Sequence, residues 1–394
     1  MWLTQILTVS IFNLRNLKER LGPSLATVVG VAGVVLVVIG VLSVGVGFEK
    51  TLRSTGGPEN VIVMRAGAND ELSSGLILEQ TKLISDKAEV ARNANGPIAS
   101  AELYVIIDLP KKGAGTPANV PLRGISPAAY DVRDNFEILE GRRFEPGRNE
   151  VIVGTAASNQ FEGLRIGDEI ASGENSWKVV GIFSTGGTVE DSEIWCDARV
   201  LQPAYRRGSS FQSVHLKLDS AESFQSFKDS LSSDPRLSVK AVREGEYWAG
   251  NSAVLTTTVR VVAILIGGLM GFGAVFGALN TMYTAVSART REIATLRALG
   301  FGTSPVIVSV LVEAVVLASL GGAVGAGLAY FMFNGVQTAT MNWQTFSQVA
   351  FAFEVTPELM GGGFLYALLM GAVGGLFPAM RAARMPVATA LREL

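Results

Sequence analysis

A long uncharged run near the N-terminus limits what this chain can fold into: the 28 residues between Arg20 and Glu49 include no Asp, Glu, Lys, Arg or His. A helix rises about 1.5 Å per residue, so the run reaches roughly 42 Å and crosses a hydrocarbon core of about 30 Å. A strand facing lipid would leave its backbone groups unpaired. The run is also longer than the apolar part of a signal peptide, about 7–15 residues, and no A-x-A site follows it. We therefore predict a retained helical span over residues 25–48.

Three further apolar stretches follow, but only after about two hundred residues of ordinary charged sequence. Val261–Ala288 and Leu359–Met380 carry no charge, and Pro305–Phe333 carries only Glu313. A helix buried in a soluble core is the alternative for any one stretch, but four in one chain favour membrane spans. The predicted fold class is an α-helical four-span membrane protein with a large α+β extracytoplasmic domain inserted between spans one and two.

The orientation follows from the basic residues of the short loops. They lie before span one, between spans two and three, and after span four, at Arg15, Lys18, Arg20, Arg289, Arg291, Arg297, Arg381, Arg384 and Arg392. The loop from Asn334 to Glu358 has neither lysine nor arginine. Within it, a polar break separates span three from span four, at Asn342, Gln344, Ser347 and Gln348. The positive-inside rule places both termini and the 289–303 loop in the cytoplasm and residues 49–252 outside.

The predicted exterior domain has a mixed α and β pattern. Short alternating or β-branched runs predict strands at Val61–Arg65, Leu103–Leu109, Glu150–Gly154, Trp177–Phe183 and Ser213–Leu218. Helical spacing predicts helices at Leu83–Arg92 and Ala221–Ser232. With Leu237–Arg243 as the next strand, residues 213–243 form a β-α-β unit of ferredoxin-like type. Short strands between glycine turns predict a small β-subdomain near residues 141–183.

Catalytic and metal-binding patterns are absent from the sequence. The single histidine, His215, lies inside a predicted strand and is interpreted as structural, and without a cysteine cluster no metal-site spacing exists. No G-x-x-x-x-G-K-[ST] motif occurs, so we expect a non-enzyme chain that binds no ATP itself. The run Thr185–Thr188 is interpreted as a hairpin turn, and Asp168 with Glu169 as a solvated turn.

The charge and cysteine content restrict the partners. The net charge is −2 and no basic block occurs, so no nucleic-acid partner is expected. The single cysteine, Cys196, cannot form an intramolecular disulfide, so the exterior domain must be stabilised by its own core.

Two features of the spans are candidates for specific roles. Glycines recur at four-residue spacing, which lets helix backbones approach closely, at Gly267, Gly271, Gly273, Gly277, Gly321, Gly325, Gly371 and Gly375. The alternative is the general enrichment of glycine in membrane helices. Glu313 lies about 13 Å into span three, where a carboxylate is a functional candidate. Snorkelling, or a partner such as Arg297, would give it a structural role instead.

At this point the residues resemble a known family. Residues 288–300 read A-R-T-R-E-I-A-T-L-R-A-L-G, and with Val312-Glu313-Ala314 and Gly321–Gly325 they resemble the core of FtsX-like permeases. The tail, Pro378–Val387 followed by Ala390-Leu391-Arg392, is similar to the family's tail, although Ala388-Thr389 stands where one acidic residue is usual. The 141–183 region resembles the periplasmic core domain of MacB and LolC/LolE proteins. MacB carries a fused nucleotide-binding domain, and none is present here.

The resemblance implies a permease subunit of a type VII ABC transporter in the bacterial inner membrane. It implies a separate cytoplasmic ABC ATPase that binds ATP and Mg²⁺, a second copy of the chain or a related permease, and a periplasmic membrane-fusion adaptor. In such systems helices one and two form a stalk that carries the motion outward, called mechanotransmission. Export is the favoured function. Alternatives are a LolC/LolE-like lipoprotein-releasing subunit and an FtsX-like regulator of cell-wall hydrolases. The large exterior domain argues against the second alternative, because the exterior domain of FtsX is smaller.

The resemblance also points to a cytoplasmic coupling helix between spans two and three. Its candidate residues are Arg289, Arg291, Glu292, Ile293, Leu296, Arg297 and Leu299. Ile293, Leu296 and Leu299 can share one stripe, which turns Arg291 and Glu292 outward. Ser304-Pro305 is expected to cap and start span three. A plain amphipathic helix on anionic headgroups explains the arginines equally well but does not call for Glu292.

The whole chain then divides into nine segments. In order they are a cytoplasmic amphipathic segment (1–24), span one (25–48), the periplasmic core domain (49–252), span two with its stalk (253–288), the coupling helix (289–303), span three (304–333), a periplasmic loop (334–358), span four (359–380) and a cytoplasmic tail (381–394).

Overall fold

The computed structural model describes residues 6, 8–11, 21–341 and 348–384, without the side chains of residues 251–252. Most of the predicted amphipathic segment, the tail beyond Arg384 and the polar residues Asn342, Gln344 and Ser347 lie outside that description. The chain divides into two compact units. The helical unit comprises Met1–Gly47, Leu255–Val336 and Phe353–Leu394, and the mixed unit comprises Phe48–Val254 and Gln337–Ala352.

Ten helices have defined bounds. In chain order they are α1 (Leu21–Arg53), α2 (Leu78–Ser85), α3 (Ala129–Val132), α4 (Thr155–Gln160), α5 (Ala198–Ala204), α6 (Phe224–Ser232), α7 (Glu244–Ala288), α8 (Thr290–Ala298), α9 (Thr303–Phe333) and α10 (Pro357–Arg384). Two 3₁₀ turns lie at Val189–Ser192 and Ala221–Ser223.

Four of these helices, α1, α7, α9 and α10, are long and apolar enough to cross a membrane. They contain the four predicted spans, because an uncharged run of that length can pair all of its backbone groups only as a helix. All four extend beyond the predicted bounds, α9 by one residue and α10 at both ends, to Pro357 and Arg384. Helix α1 continues to Arg53, and α7 begins at Glu244 and is 45 residues long.

The helical unit has an apolar core shared by three helices. Val35 and Ile39 of α1 pack with Ala329 of α9 and with Ala367 and Met370 of α10. Ala329 and Ala367 are the small residues of this contact, and small residues let helix backbones approach closely in lipid.

The mixed unit is built on a ten-stranded sheet. In chain order the strands of the protein are β1 (Asn60–Arg65), β2 (Leu76–Ile77), β3 (Arg92–Asn93), β4 (Gly96–Pro97), β5 (Ala99–Pro110), β6 (Pro117–Ile125), β7 (Glu137–Gly141), β8 (Glu150–Gly154), β9 (Glu169–Ser172), β10 (Asn175–Ser184), β11 (Ile194–Asp197), β12 (Ser210–Phe211), β13 (Ser213–Lys217), β14 (Val239–Arg243), β15 (Gln337–Met341) and β16 (Gln348–Ala352). The order in the sheet is β14-β1-β13-β5-β6-β11-β8-β10-β7, and β9 pairs with β10.

Strand β5 belongs to both halves of the sheet. Its first residues, 99–102, pair with β13, and residues 103–110 pair with β6. On one side, β13, α6 and β14 form a β-α-β unit with β1 between its strands, which confirms the predicted ferredoxin-like unit. On the other side, β6 to β11 surround a second core that includes Trp177 and Cys196. The β-subdomain is therefore wider than the predicted 141–183, because β5, β6 and β11 complete it.

Two predicted local elements were wrong. The helix expected at 83–92 ends at Ser85 and starts at Leu78, where the Gln80 side chain accepts a hydrogen bond from Ile77 N (3.2 Å) and fixes the first turn. The 185–188 run is not a hairpin, since β10 pairs with β7, β8 and β9 but not with β11.

The segment predicted as a periplasmic loop, 334–358, contains a hairpin. Strands β15 and β16 pair antiparallel from Gln337↔Ala352 to Met341↔Gln348. The hairpin belongs to the mixed unit: the Phe351 ring lies 5.4 Å from that of Phe48, edge to face. Each strand has only five residues, too few to show a clear periodic pattern, which explains why the sequence indicated only a loop.

Candidate functional site on the short helix after the second span

Helix α8 is short because its C-terminus carries a strong stop signal. Gly300 has φ +94°, a conformation that favours glycine. Gly300 N donates to Arg297 O (3.1 Å) and Phe301 N donates to Leu296 O (3.1 Å), the two bonds of a Schellman motif. Glu292 lies in the first turn and Arg297 in the last, which matches the helix dipole. The local sequence alone thus defines a compact helix.

One face of α8 packs against the helical unit. Ile293 and Ala294 are buried, and Ile293 lies in an apolar cluster with Val286 of α7, Val310 of α9 and Ala382 of α10. The helix is therefore packed against three of the long helices.

The predicted stripe on α8 is shorter than expected. Ile293 is buried and Leu296 is half-buried, but Leu299 is 73% exposed. The reason is that the helix ends at Ala298 and Leu299 is its C-cap, so the chain turns away before that side chain returns to the packed face.

The opposite face of α8 is charged and open. Arg291, Glu292 and Thr295 are exposed, as predicted for the first two. A groove of about 380 Å³ adjoins them, with a largely apolar lining. Its lining residues are Thr8, Val9, Glu292, Thr295, Leu296 and Phe301. Sequence reasoning missed Thr8, Val9 and Phe301, although the amphipathic character of residues 1–24 was a signal.

Arg289 does not lie on that open face. It is 4% exposed, and its Nη1 lies 3.0 Å from Oε2 of Glu313, with Nη2 3.5 Å from Oε1. The expected partner of Glu313 was Arg297, which lies at the other end of α8. The pair therefore links the residue before α8 to the middle of α9, an internal role in place of the predicted surface one.

The start of α9 also differs from the expectation. Gly302 is the N-cap and the helix begins at Thr303, so Ser304 and Pro305 lie inside the first turn. Proline is tolerated there because the first turn has no internal partner for its missing N–H.

Three of the four glycine pairs lie at contacts between helices. A Cβ built on Gly325 would lie 2.5 Å from Ala32 O, and one on Gly321 would lie 2.8 Å from Val28 O, so α9 meets α1 backbone to backbone. Gly267 would meet the Val38 side chain at 3.0 Å.

The remaining glycines complete this picture. Gly271 would collide with Tyr366, whose hydroxyl donates to Gly267 O (2.8 Å). Gly371 and Gly375 of α10 lie against α9 in the same way, at Ala318 and Ala314. The fourth pair, Gly273 and Gly277, has nothing of the described chain within 4 Å. Sequence reasoning missed Gly322, Gly363 and Gly374, which also lie at close contacts.

Replacing Gly325 with valine is expected to destabilise the helical unit. The new Cβ would meet backbone, which cannot give way as a flexible side chain does, and overpacking of this kind costs about 1–3 kcal/mol. Gly327→Val is the matched control, since Gly327 lies on the same helix and has open space around it. Thermal unfolding in detergent should show a lower Tm for the first variant alone; equal Tm values would contradict the packing role.

The mixed unit contains a buried ion cluster that the sequence did not indicate. The Arg123 guanidinium contacts Glu193 (2.7 Å), Glu71 (2.8 Å) and Glu102 (3.0 Å), and all four are at most 1% exposed. His215 Nε2 lies 3.0 Å from Glu71 Oε1. His215 is thus a structural histidine, as predicted, held among carboxylates.

In this cluster, neighbouring groups of opposite charge keep Glu102 and His215 ionised despite their burial. Burial opposes ionisation of Glu102, but Arg133, His215 and Arg123 outweigh it and lower the pKa of Glu102 to about 2. Burial likewise opposes the charged form of His215, yet Glu102 and Glu71 raise the pKa of His215 to about 10. The histidine is therefore a cation at neutral pH.

The loop after β10 satisfies its own donors. Thr185 N and Gly187 N donate to the Asp191 carboxylate at 2.6 and 2.9 Å. An internal carboxylate therefore satisfies these two backbone donors. Cys196 is buried and free, with its Sγ 3.7 Å from Arg123 O.

The four apolar helices and the large α/β unit define a class, that of multi-pass membrane proteins with an extracellular domain. The comparisons with known proteins narrow it. The family model for the MacB-like periplasmic core domain matches residues 24–233, and that for the FtsX-like permease C-terminal region matches residues 264–387. The first match alone covers more than half of the chain. The chain belongs to the FtsX/MacB-like family of ABC-transporter permeases.

Individual relatives are distant. The uncharacterized ABC transporter permease YknZ of Bacillus subtilis is 24% identical over 395 residues, which covers 93% of each chain. The macrolide export ATP-binding/permease protein MacB of Bdellovibrio bacteriovorus is 25% identical over 415 residues, and the alignment covers 95% of this chain and 59% of that one. MacB of Nitrobacter winogradskyi is 36% identical over 154 residues, 39% of this chain and 21% of that one.

Proposed function

We propose that this chain is the non-catalytic membrane subunit of an export transporter and that it couples ATP hydrolysis by a separate cytoplasmic ATPase to movement of its exterior domain. ATP and Mg²⁺ are then bound by the partner. The observation that carries the proposal is α8, a helix packed on three long helices through Ile293 and exposing Arg291 and Glu292 beside an apolar groove. The printed name of the MacB relatives, macrolide export, supports export as the direction.

The proposed coupling surface consists of the exposed charged residues Arg291 and Glu292 and, beside them, a hydrophobic recess, which is the groove described above. Leu296 and Phe301 supply the recess, and Glu292 lies at its edge. A partner with an apolar knob and a basic residue fits such a surface, because apolar contact supplies affinity and the charge supplies orientation. Arg289 is removed from the surface and instead holds α8 to α9.

Motion outward is proposed to pass along α1 and α7. Both helices continue past the predicted spans, to Arg53 and from Glu244 respectively. These extensions support a stalk role by mechanotransmission. In the proposed orientation the chain lies in the inner membrane, with the termini and α8 in the cytoplasm and the mixed unit in the periplasm. The proposal follows the arginine distribution and the positive-inside rule.

A second copy of the chain is the proposed lateral partner. Helix α7 buries 22% of its most apolar window, the smallest share among the four long helices, whose other values run from 33% to 50%. The unoccupied pair Gly273 and Gly277 lies on this helix beside exposed Phe272 and Phe276. A close homodimer contact there, and a periplasmic adaptor on the mixed unit, complete the proposed assembly.

The test of this function is the ATPase activity of the isolated parts. The purified chain alone is expected to hydrolyse no ATP, because no phosphate-binding loop occurs in its sequence. The complex isolated from native membranes through a tag on this chain is expected to contain a nucleotide-binding subunit and to hydrolyse ATP. Turnover by a verified single-chain preparation, or a native complex without a nucleotide-binding subunit, would contradict the proposal.

A further inference from the structure

Within the mixed unit, the 3₁₀ turn Val189–Ser192 contacts segments that connect to the long apolar helices. Val189 N donates to Thr55 Oγ1 (3.1 Å), two residues after α1 ends. Ser192 Oγ accepts from Ala350 N (2.9 Å) in β16, within the connection between α9 and α10. Both bonds are inside the mixed unit, and they tie one turn to two of the segments that lead toward the spans.

A third connection meets the same turn at a polar cavity of about 130 Å³. Glu190 of the turn and Glu244, the first residue of α7, both line it, and they are 4% and 1% exposed. Asn60 also lines it: its Nδ2 donates to Glu244 Oε2 (3.2 Å), while its Oδ1 has no hydrogen-bond partner among the described residues. A buried carboxylate pair and an unpartnered acceptor thus line one small cavity.

The charges in and around the cavity do not balance. Apart from Asp191, which accepts from backbone donors, five buried carboxylates lie with three buried cations. This leaves an excess of two negative charges if every one of these eight groups is ionised and His215 is protonated. The carboxylates are Glu71, Glu102, Glu190, Glu193 and Glu244, and the cations are Arg123, Arg133 and His215. An uncompensated charge in such an environment is costly, so the cluster favours uptake of a positive charge.

The contacts of the two carboxylates show where that charge would go. Glu244 Oε1 lies 3.4 Å from His215 Nδ1, and Glu244 also accepts from Asn60. Glu190 accepts from the Thr188 hydroxyl, but its nearest cation, Arg133 Nε, is 3.8 Å away and is bonded to Glu102 through its other nitrogens. Glu190 is therefore the less compensated member.

The other ionisable groups facing the turn are already matched. Glu193 accepts from Arg123, and Asp191 accepts from backbone donors of the 185–187 loop. Asp134, at the rim of the cavity, contacts Lys217 Nζ at 2.6 Å. Glu190 shares Arg133 with Glu102, and Glu244 shares His215 with Glu71 and Glu102. Neither carboxylate of the cavity therefore has a described cation to itself.

We propose that Glu190 binds an exchangeable proton, and that this proton holds the 189–192 turn against the start of α7. A proton is favoured over a metal ion, because no group of three His, Cys, Asp or Glu among the described residues is arranged to hold one. The proposal does not depend on the coupling function of α8. It assigns the exterior side of the protein a proton-binding site at the junction of three connecting segments.

The titration supports this assignment. Burial and the neighbouring Glu244 raise the pKa of Glu190 to about 7. Burial opposes ionisation of Glu244 as well, but His215 and Arg133 outweigh it and lower the pKa of Glu244. Because the folded state of Glu190 holds its proton more tightly than the unfolded state does, the junction loses stability as pH rises toward and through 7. His215 stays charged across that range.

Hydrogen exchange of the full chain in lipid nanodiscs tests the proposal, with rates corrected for their intrinsic pH dependence. In the wild type, the protection of peptides covering residues 186–193 and 243–250 should fall between pH 6 and pH 8.5. One linked proton limits the fall to about tenfold per pH unit below the Glu190 pKa of about 7, and protection should level off above that pKa. Glu190→Gln, which carries a permanently neutral group, should keep the high protection at both pH values. Glu162→Gln, an exposed carboxylate, is the matched control and should behave as the wild type.

A second variant keeps the test decisive if Glu190→Gln folds poorly. Glu244→Gln removes the neighbouring charge, so the midpoint of the wild-type transition should move to lower pH. The proposal is overturned if wild-type protection is constant from pH 6 to 8.5, or if Glu190→Gln loses protection as the wild type does. Recovery of protection at pH 8.5 on addition of calcium chloride would equally overturn it, since a metal ion would then be the ligand.

Discussion

Replacing Glu313 with glutamine is expected to lower the Tm of the purified chain strongly. The change leaves the Arg289 guanidinium buried without its counter-ion, and both side chains are 5% exposed. Breaking a buried ion pair by removing one partner costs about 3–5 kcal/mol. Arg289→Met should cost a similar amount, because it strands the carboxylate instead. Differential scanning fluorimetry in detergent measures both effects.

A double variant distinguishes the interaction energy of the ion pair from the cost of leaving one charge buried and unpaired. Arg289→Met with Glu313→Met removes both charges and keeps comparable volume, so it should recover much of the lost stability. Arg291→Met is the matched control, because Arg291 is exposed on the same helix and should leave Tm unchanged. Single variants as stable as the wild type would show that the ion pair does not hold α8 to α9.

The second large effect is expected on energy coupling. Glu292→Lys reverses an exposed charge beside the groove, and Leu296→Asp places a carboxylate in its apolar wall. An exposed ion pair contributes only about 0–1 kcal/mol, so charge reversal is a sharper change than Glu292→Ala. Both variants should insert and fold, but should lose ATPase co-purification or hydrolyse ATP without export. The double variant Glu292→Lys with Leu296→Asp should reduce export by about tenfold or more, measured at saturating ATPase. The reason is that an unpaired charge in the interface with the ATPase costs several kcal/mol of binding free energy.

Glu358→Lys is the control for this experiment. Glu358 is also an exposed glutamate in the first turn of a helix, but it belongs to α10, whose predicted start lies on the exterior side. It should leave ATPase binding and export unchanged. Wild-type binding and export by both α8 variants would mean that this surface is not the coupling element.

The sequence predicted what depends on local pattern. Uncharged runs identified all four apolar helices, because a span needs only length and apolarity. The short α8 was expected from the family resemblance of residues 288–300, and the positive φ of Gly300 ends the helix. The family resemblance, confirmed by the comparisons, came from the same local motif at residues 288–300.

The features that the sequence did not predict depend on contacts between residues far apart in the chain, which no local pattern encodes. Arg289 was predicted to be one of the coupling residues that meet the ATPase, yet it is buried against Glu313, 24 residues away along the chain. The ion cluster unites residues as far apart as Glu71 and His215, each unremarkable in its own segment. Glycine spacing predicted three helix contacts and could not distinguish the open pair, Gly273 and Gly277, from the packed ones.

The most direct test of the central claim is whether ATP moves the exterior domain through α8. Glu162→Cys introduces an exposed thiol for a spin label, and Cys196 is fully buried, so one site per chain is labelled. In the reconstituted complex of two chains with the ATPase, pulsed electron paramagnetic resonance reports the distance between the two labels. We expect ATP to shift that distance in the wild type and to leave it unchanged with Leu296→Asp. A complex that hydrolyses ATP with no shift, or a Leu296→Asp complex that shifts as the wild type does, would contradict coupling through α8.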